Sequence, residues 1–164
     1  EYDRAKPDML ETLSAVKELE IPSIVLAPNA DAGGVNIYNA ILNFKKENEC
    51  SNWHVFTNLP TKIYIHLMNE TLCLVGNSSS GIREGAFIGT PVVNIGTRQN
   101  RRLIGKNVIS VSNNQNEIIA AIKSQINQGK YSTDDLYGDC NTAKKIATIL
   151  RESNIKTVQK TITY

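Results

Sequence analysis

Residues 72–96 read LCLVGNSSSGIREGAFIGTPVVNIG, and their order decides the fold. An apolar run ends at Gly76, a turn of one asparagine and three serines follows, and a helix is expected from about Ser80 to Ile88. A second apolar run, PVVNIG, then begins at Pro91. Nearly continuous Val, Ile and Leu runs separated by a helix read as parallel strands buried on both faces.

The same alternation extends in both directions. Upstream, a helix over 8–19 with Pro7 in its first turn leads to SIVLAP, and a helix over 35–48 leads to WHVF. A third helix after Pro60, carrying Ile63, Leu67 and Met68, leads to LCLVG. The second helix presents Ile37, Ile41, Leu42 and Phe44 as its apolar face. Downstream come NVISV and helices over 115–128 and 141–153, with TVQKTITY as a loose or β-like tail. The pattern predicts an α/β, Rossmann-like domain over 1–153, a mostly parallel sheet with helices on both faces, and a C-terminal tail over 154–164. There is no internal repeat and no low-complexity linker.

Composition narrows the function classes. At 164 residues, with 41% apolar and 21% charged residues, the chain has a globular balance and enough length for a core. Eighteen basic against sixteen acidic residues leave a net charge of +2, too small to argue for a nucleic-acid or membrane surface. The three cysteines, Cys50, Cys73 and Cys140, lack metal-ligand or disulfide spacing and fit a reducing cytoplasm. No apolar run approaches a membrane span, and the sequons at Asn69 and Asn77 are expected to be chance matches.

In an open parallel sheet, ligands bind outside the carboxyl ends of the strands. The loops there are PNADAGG, VFTNLP, GNSSSG and GTRQNRR. Within GNSSSG, Gly76 allows a tight turn, Ser78 and Ser79 offer hydroxyl and N–H donors, and Gly81 lets a ligand approach the backbone. With the positive end of a helix behind them, these groups suit a phosphate. Glu84 lies five residues past Ser79, roughly 7.5 Å along a helix axis, where a carboxylate can accept from the vicinal hydroxyls of a ribose. Arg98, after the next strand, can clamp a diphosphate. The turn matches neither the Walker pattern nor GxGxxG. The same residues also serve a purely structural reading, with the serines as an N-cap, Glu84 paired to Arg83, Arg98 on the surface and Asn29 and Asp31 capping the next helix. His54, His66, Trp53, Tyr38 and Tyr64 read as structural residues.

PNADAGG, GNSSSGIREGAFIGTPVVNIGTRQ, and YGD followed by NTAKKI, in this order and spacing, resemble the C-terminal half of the hydrolysing UDP-N-acetylglucosamine 2-epimerases of the sialic-acid pathway. The resemblance runs from about residue 1 to 151. It implies the C-terminal domain of a glycosyltransferase-B-type fold, with UDP or a UDP-amino sugar in the interdomain cleft and no cofactor or metal. Ser78 and Ser79 match serines that hold the diphosphate, Glu84 the acid on the ribose, and Arg98 an arginine of the nucleotide site. Asn29 and Asp31 match a polar pair of the first loop, and Val55 a residue whose backbone lies near the uracil.

The same resemblance implies what else the enzyme would need. The family's active-site histidine lies on a strand before residue 1, and its acid/base groups lie in an N-terminal domain. The expected function is therefore UDP-sugar binding by part of a hydrolysing epimerase, with no catalytic residue in this chain and no turnover by it alone. A missing central strand would leave unpaired edges and favour homo-oligomers. The alternatives are half of a related glycosyltransferase or non-hydrolysing epimerase, or a non-catalytic nucleotide-sugar sensor. Two departures stand out: the family usually has glycine in the stretch after TRQ, where this chain has Arg101, and YGDG where it has Cys140.

Overall fold

The structure, a computed structural model, describes residues 5–28 and 34–153. The chain runs α1 (Ala5–Glu18), β1 (Ser23–Leu26), α2 (Gly34–Glu47), β2 (Trp53–Phe56), α3 (Thr61–Glu70), β3 (Leu74–Gly76), α4 (Ser79–Ile82), α5 (Glu84–Ile88), β4 (Val92–Ile95), β5 (Val108–Val111), α6 (Gln115–Gln128) and α7 (Thr142–Glu152). Each predicted strand and helix is present within a few residues of its expected bounds. The tail over 154–164 lies outside the described residues.

Every strand pairing is parallel, as the βα alternation requires. The strands form two ladders, however: β1 with β2, and β3-β4-β5 with β4 in the centre. No ladder joins β1 to β3 among the described residues. Among the described residues β1 and β2 each have one unpaired edge in the first ladder, and β3 and β5 each have one in the second.

Side-chain alternation assigns the faces. On β4, Val93 and Ile95 pack with Ala15 of α1 and with Ile118, Ile119, Ala121 and Ile122 of α6. Val92 points the other way, beneath α4. On the smaller ladder, Trp53, Val25 and Val55 turn inward to Leu13, Ile41 and Cys50, with Phe44 stacked on Trp53 at 5.9 Å between ring centroids. Ile24, Leu26 and Phe56 occupy the opposite face and remain exposed. Helices therefore cover both faces of β3–β5 but only one face of β1–β2. Two expected core positions also turn outward, Leu42 on α2 and Ile63 on α3, while Ile41 and Met68 carry the burial of those helices.

The helix expected over 80–88 is two short helices, broken at Arg83 (φ −90°, ψ −72°). Buried Asn107, at the start of β5, donates from Nδ2 to the carbonyls of Gly81 (3.3 Å) and Thr90 (2.9 Å). A side chain reaching a helix carbonyl in a segment with two glycines is a recognised cause of a break. Gln125 of α6, fully buried, donates from Nε2 to the carbonyls of Val92 (2.7 Å) and Asn107 (2.9 Å), and accepts from Tyr131 through Oε1 (2.8 Å). These amides satisfy the backbone where the strands begin, beneath the loops at their far ends.

Candidate nucleotide-sugar site

Gly76, Asn94 and Ser110 stand side by side in register near the carboxyl ends of β3, β4 and β5. Gly76 leaves its strand at φ 143°, in open space, so the glycine serves the sharp exit into Asn77 and Ser78. Ser78 is exposed and extended, and its hydroxyl accepts from Ser80 N–H at 3.3 Å, which caps α4. Ser79, half-buried, opens that helix, and its carbonyl accepts from Arg83 N–H.

The loop after β4 carries Arg98, exposed, and Gln99, buried. Gln99 Nε2 donates to the carbonyl of Asn77 at 2.7 Å, so the serine loop and the arginine loop are tied together one residue away from Ser78 and from Arg98. Sequence reasoning passed over Gln99; its only signal was its place in the TRQ motif. Asn94, also buried, donates from Nδ2 to Ser110 Oγ at 3.1 Å. The carbonyl oxygens of both side chains, Asn94 Oδ1 and Gln99 Oε1, are buried without a protein partner.

Glu84 is exposed at the start of α5, and neither Glu84 nor Arg98 forms an ion pair with a described residue. The break at Arg83 means that the spacing from Ser79 to Glu84 is set by two helical segments rather than one uniform rise. It also shortens the aligned run of peptides behind the serines to a single turn, so little macrodipole acts there.

Gly81 is buried, and a Cβ there would lie 3.0 Å from Val92 Cγ1 and 3.1 Å from Leu74 Cδ2. The missing side chain makes room for the sheet beneath α4, a different reason for glycine from the expected approach of a ligand. Val55 lies in β2 opposite Val25, with its side chain in the core. Asn29 and Asp31 lie outside the described residues. Burial pushes the Cys73 thiol up to about 12, against a weaker opposing pull from a backbone hydrogen bond at Val93, so it stays protonated at neutral pH as a small core residue. Among the described residues there is no His, Cys, Asp and Glu cluster suited to a metal, and no helix is long and apolar enough to cross a membrane.

These elements define an α/β domain whose polar loops converge at the carboxyl ends of parallel strands, the arrangement of a Rossmann-like ligand-binding half. Residues 1–151 match the UDP-N-acetylglucosamine 2-epimerase family, and the chain belongs to that family. It is 31% identical over 122 residues to the UDP-N-acetylglucosamine 2-epimerase of Neisseria meningitidis, covering 73% of this chain and 31% of the relative. Identity is 29% over 151 residues to the hydrolysing UDP-N,N'-diacetylbacillosamine 2-epimerase of Legionella pneumophila, covering 92% of this chain and 39% of the relative. A GDP/UDP-N,N'-diacetylbacillosamine 2-epimerase (hydrolysing) of Campylobacter jejuni is 37% identical over 101 residues, 62% of this chain and 26% of that protein. The chain thus spans between about a quarter and two fifths of the length of these curated relatives.

Proposed function

We propose that this chain is the nucleotide-sugar-binding part of a hydrolysing UDP-N-acetylglucosamine 2-epimerase. In this reading Ser78 and Ser79 donate to the diphosphate, Arg98 neutralises it, and Glu84 accepts from the ribose hydroxyls. Asn29 and Asp31 line the same cleft, Val55 lies by the uracil, and Gly81 lets α4 sit low enough to present the serines. The observation that carries the reading is the Gln99 to Asn77 bond, which holds the two loops with diphosphate-binding groups against each other at the strand carboxyl ends.

The reaction removes the proton at C2 of the sugar and expels UDP from C1, leaving a glycal. Water then adds at C1 with a proton returned to C2, giving N-acetylmannosamine. This chain's share is electrostatic. Negative charge grows on the diphosphate as the C1–O bond breaks, and donors already aimed at it lower the barrier. Proton transfer falls to groups outside this chain, so the isolated chain binds UDP without turning over the sugar nucleotide. The unpaired edges of β1 and β3 suit one further parallel strand from the same protein, and the free cysteines fit a cytoplasmic setting. The assigned groups touch phosphate and ribose, so a diacetamido sugar, as in the names of two relatives, satisfies them equally.

Calorimetric titration with UDP, GDP and UMP tests the assignment on the full chain, on Glu84→Ala and on Arg98→Ala. UDP is expected to bind tightest. Each variant should weaken it by about tenfold, the size of one hydrogen bond to a charged group. Unchanged UDP affinity in both variants would remove the ribose and diphosphate roles.

A further inference from the structure

Three hydroxyls form a chain from α3 to the mouth of the candidate site. Tyr64 Oη lies 2.5 Å from Ser80 Oγ, and Ser80 Oγ lies 2.9 Å from Ser78 Oγ. Ser78 Oγ also accepts the backbone N–H of Ser80. Tyr64 is half-buried, whereas Ser78 is exposed. Neither Tyr64 nor Ser80 is explained by the nucleotide assignment above.

Each hydroxyl has one proton and two acceptor positions, so Ser80 donates to at most one of its two hydroxyl neighbours. A phenol is the more acidic end, with a pKa of about 10, and its oxygen shares electron density with the ring, so it donates better than it accepts. With Tyr64 donating to Ser80, the Ser80 proton finds its hydrogen-bond partner in Ser78, and the chain runs from Tyr64 to Ser80 and from Ser80 to Ser78. Both acceptor positions of Ser78 are filled from within, one by Ser80 O–H and one by Ser80 N–H. Its own proton has no use in the chain and faces solvent. Run in reverse, Ser78 would donate its proton to Ser80 and offer the solvent only a lone pair, which repels an anion.

A second, independent observation falls on the same loop. Gln99, only 4% exposed, donates from Nε2 to the Asn77 carbonyl at 2.7 Å and so holds the residue just before Ser78.

We propose that Tyr64 is a positioning residue that acts through Ser80 to fix Ser78 as an outward hydrogen-bond donor to a phosphate of the nucleotide ligand. The inference rests on the nucleotide reading and adds a residue that never touches the ligand. Removing the phenol oxygen frees Ser80 to accept from Ser78, and the outward proton is lost from part of the population.

The test compares UDP with uridine on the full chain, because uridine lacks the phosphates. The proteins are the natural sequence, Tyr64→Phe, Ser80→Ala and the double variant, with binding followed by calorimetry or by NMR titration. Tyr64→Phe and Ser80→Ala should each weaken UDP by about five- to tenfold, the scale of a charge-assisted hydrogen bond, and leave uridine within about twofold. The double variant should be no weaker than the weaker single one, because both act through one chain. UDP affinity unchanged in Tyr64→Phe overturns the proposal, as does an equal loss for uridine, which would mark a merely structural tyrosine. Should Tyr64→Phe fold poorly, Ser80→Ala carries the same comparison. A natural protein that does not bind UDP would overturn the nucleotide reading itself, a result distinct from the others.

Discussion

Arg101 and Cys140 hold φ at 70° and 64°, in the left-handed region that glycine occupies without cost. The backbone there takes a conformation that suits glycine while the residue carries a side chain, so each is held at a local cost. Arg101→Gly and Cys140→Gly should each raise stability by about 0.5 kcal/mol, the relief of left-handed strain less the added freedom of the unfolded chain. Chemical denaturation midpoints give the answer, and a drop in either variant would show that the side chain earns its place through contacts. Resemblance pointed to both positions, but the conformation itself was invisible in the sequence, because neither residue carries a turn signature. Ser78, Ser79, Glu84 and Arg98 were singled out from their loops alone, whereas Gln99, Tyr64 and Ser80 depend on contacts made across 16 to 22 positions of chain.

At the scale of elements, the alternating pattern located every strand among the described residues and every described helix except the separate pair α4 and α5. It did not reveal the break at Arg83. Gly81 and Gly85 weaken the helix without marking where it breaks, and the interruption comes with Asn107, which reaches α4 from the start of β5. The close seat of α4 on the sheet gives a direct test. Gly81→Ala places a methyl 3.0 Å from Val92 Cγ1, so α4 must lift or Val92 must shift. The expected loss is about 1–2 kcal/mol of stability, as for other overpacked sites, together with weaker UDP binding as Ser78 moves. Thermal melts and UDP titration of the same variant separate the two effects. Full stability with full affinity would mean that the contact yields freely.

Across the whole molecule, the order and parallel sense of the strands follow from the βα alternation, but the division into two ladders does not, because hydrogen-bonded edges leave no trace in composition. What spans the division is α1. Among the described residues it is the only element with buried residues in both apolar clusters, Leu13 in the one around Trp53 and Ala15 in the one around Val93, with Val16 touching each. Ala15→Leu should therefore cost about 2 kcal/mol or more by overpacking where no side-chain volume is free. The sole tryptophan, Trp53, reports the smaller ladder by fluorescence, and helical circular dichroism reports largely the other half. In the natural chain and in the variant the two signals should fall at the same denaturant concentration; separate midpoints would show that the halves melt independently. A helix that reads in the sequence as a plain amphipathic leader is thus the expected source of the fold's cooperativity. Two half-sheets joined by no ladder among the described residues should unfold as a single unit because one wall belongs to both.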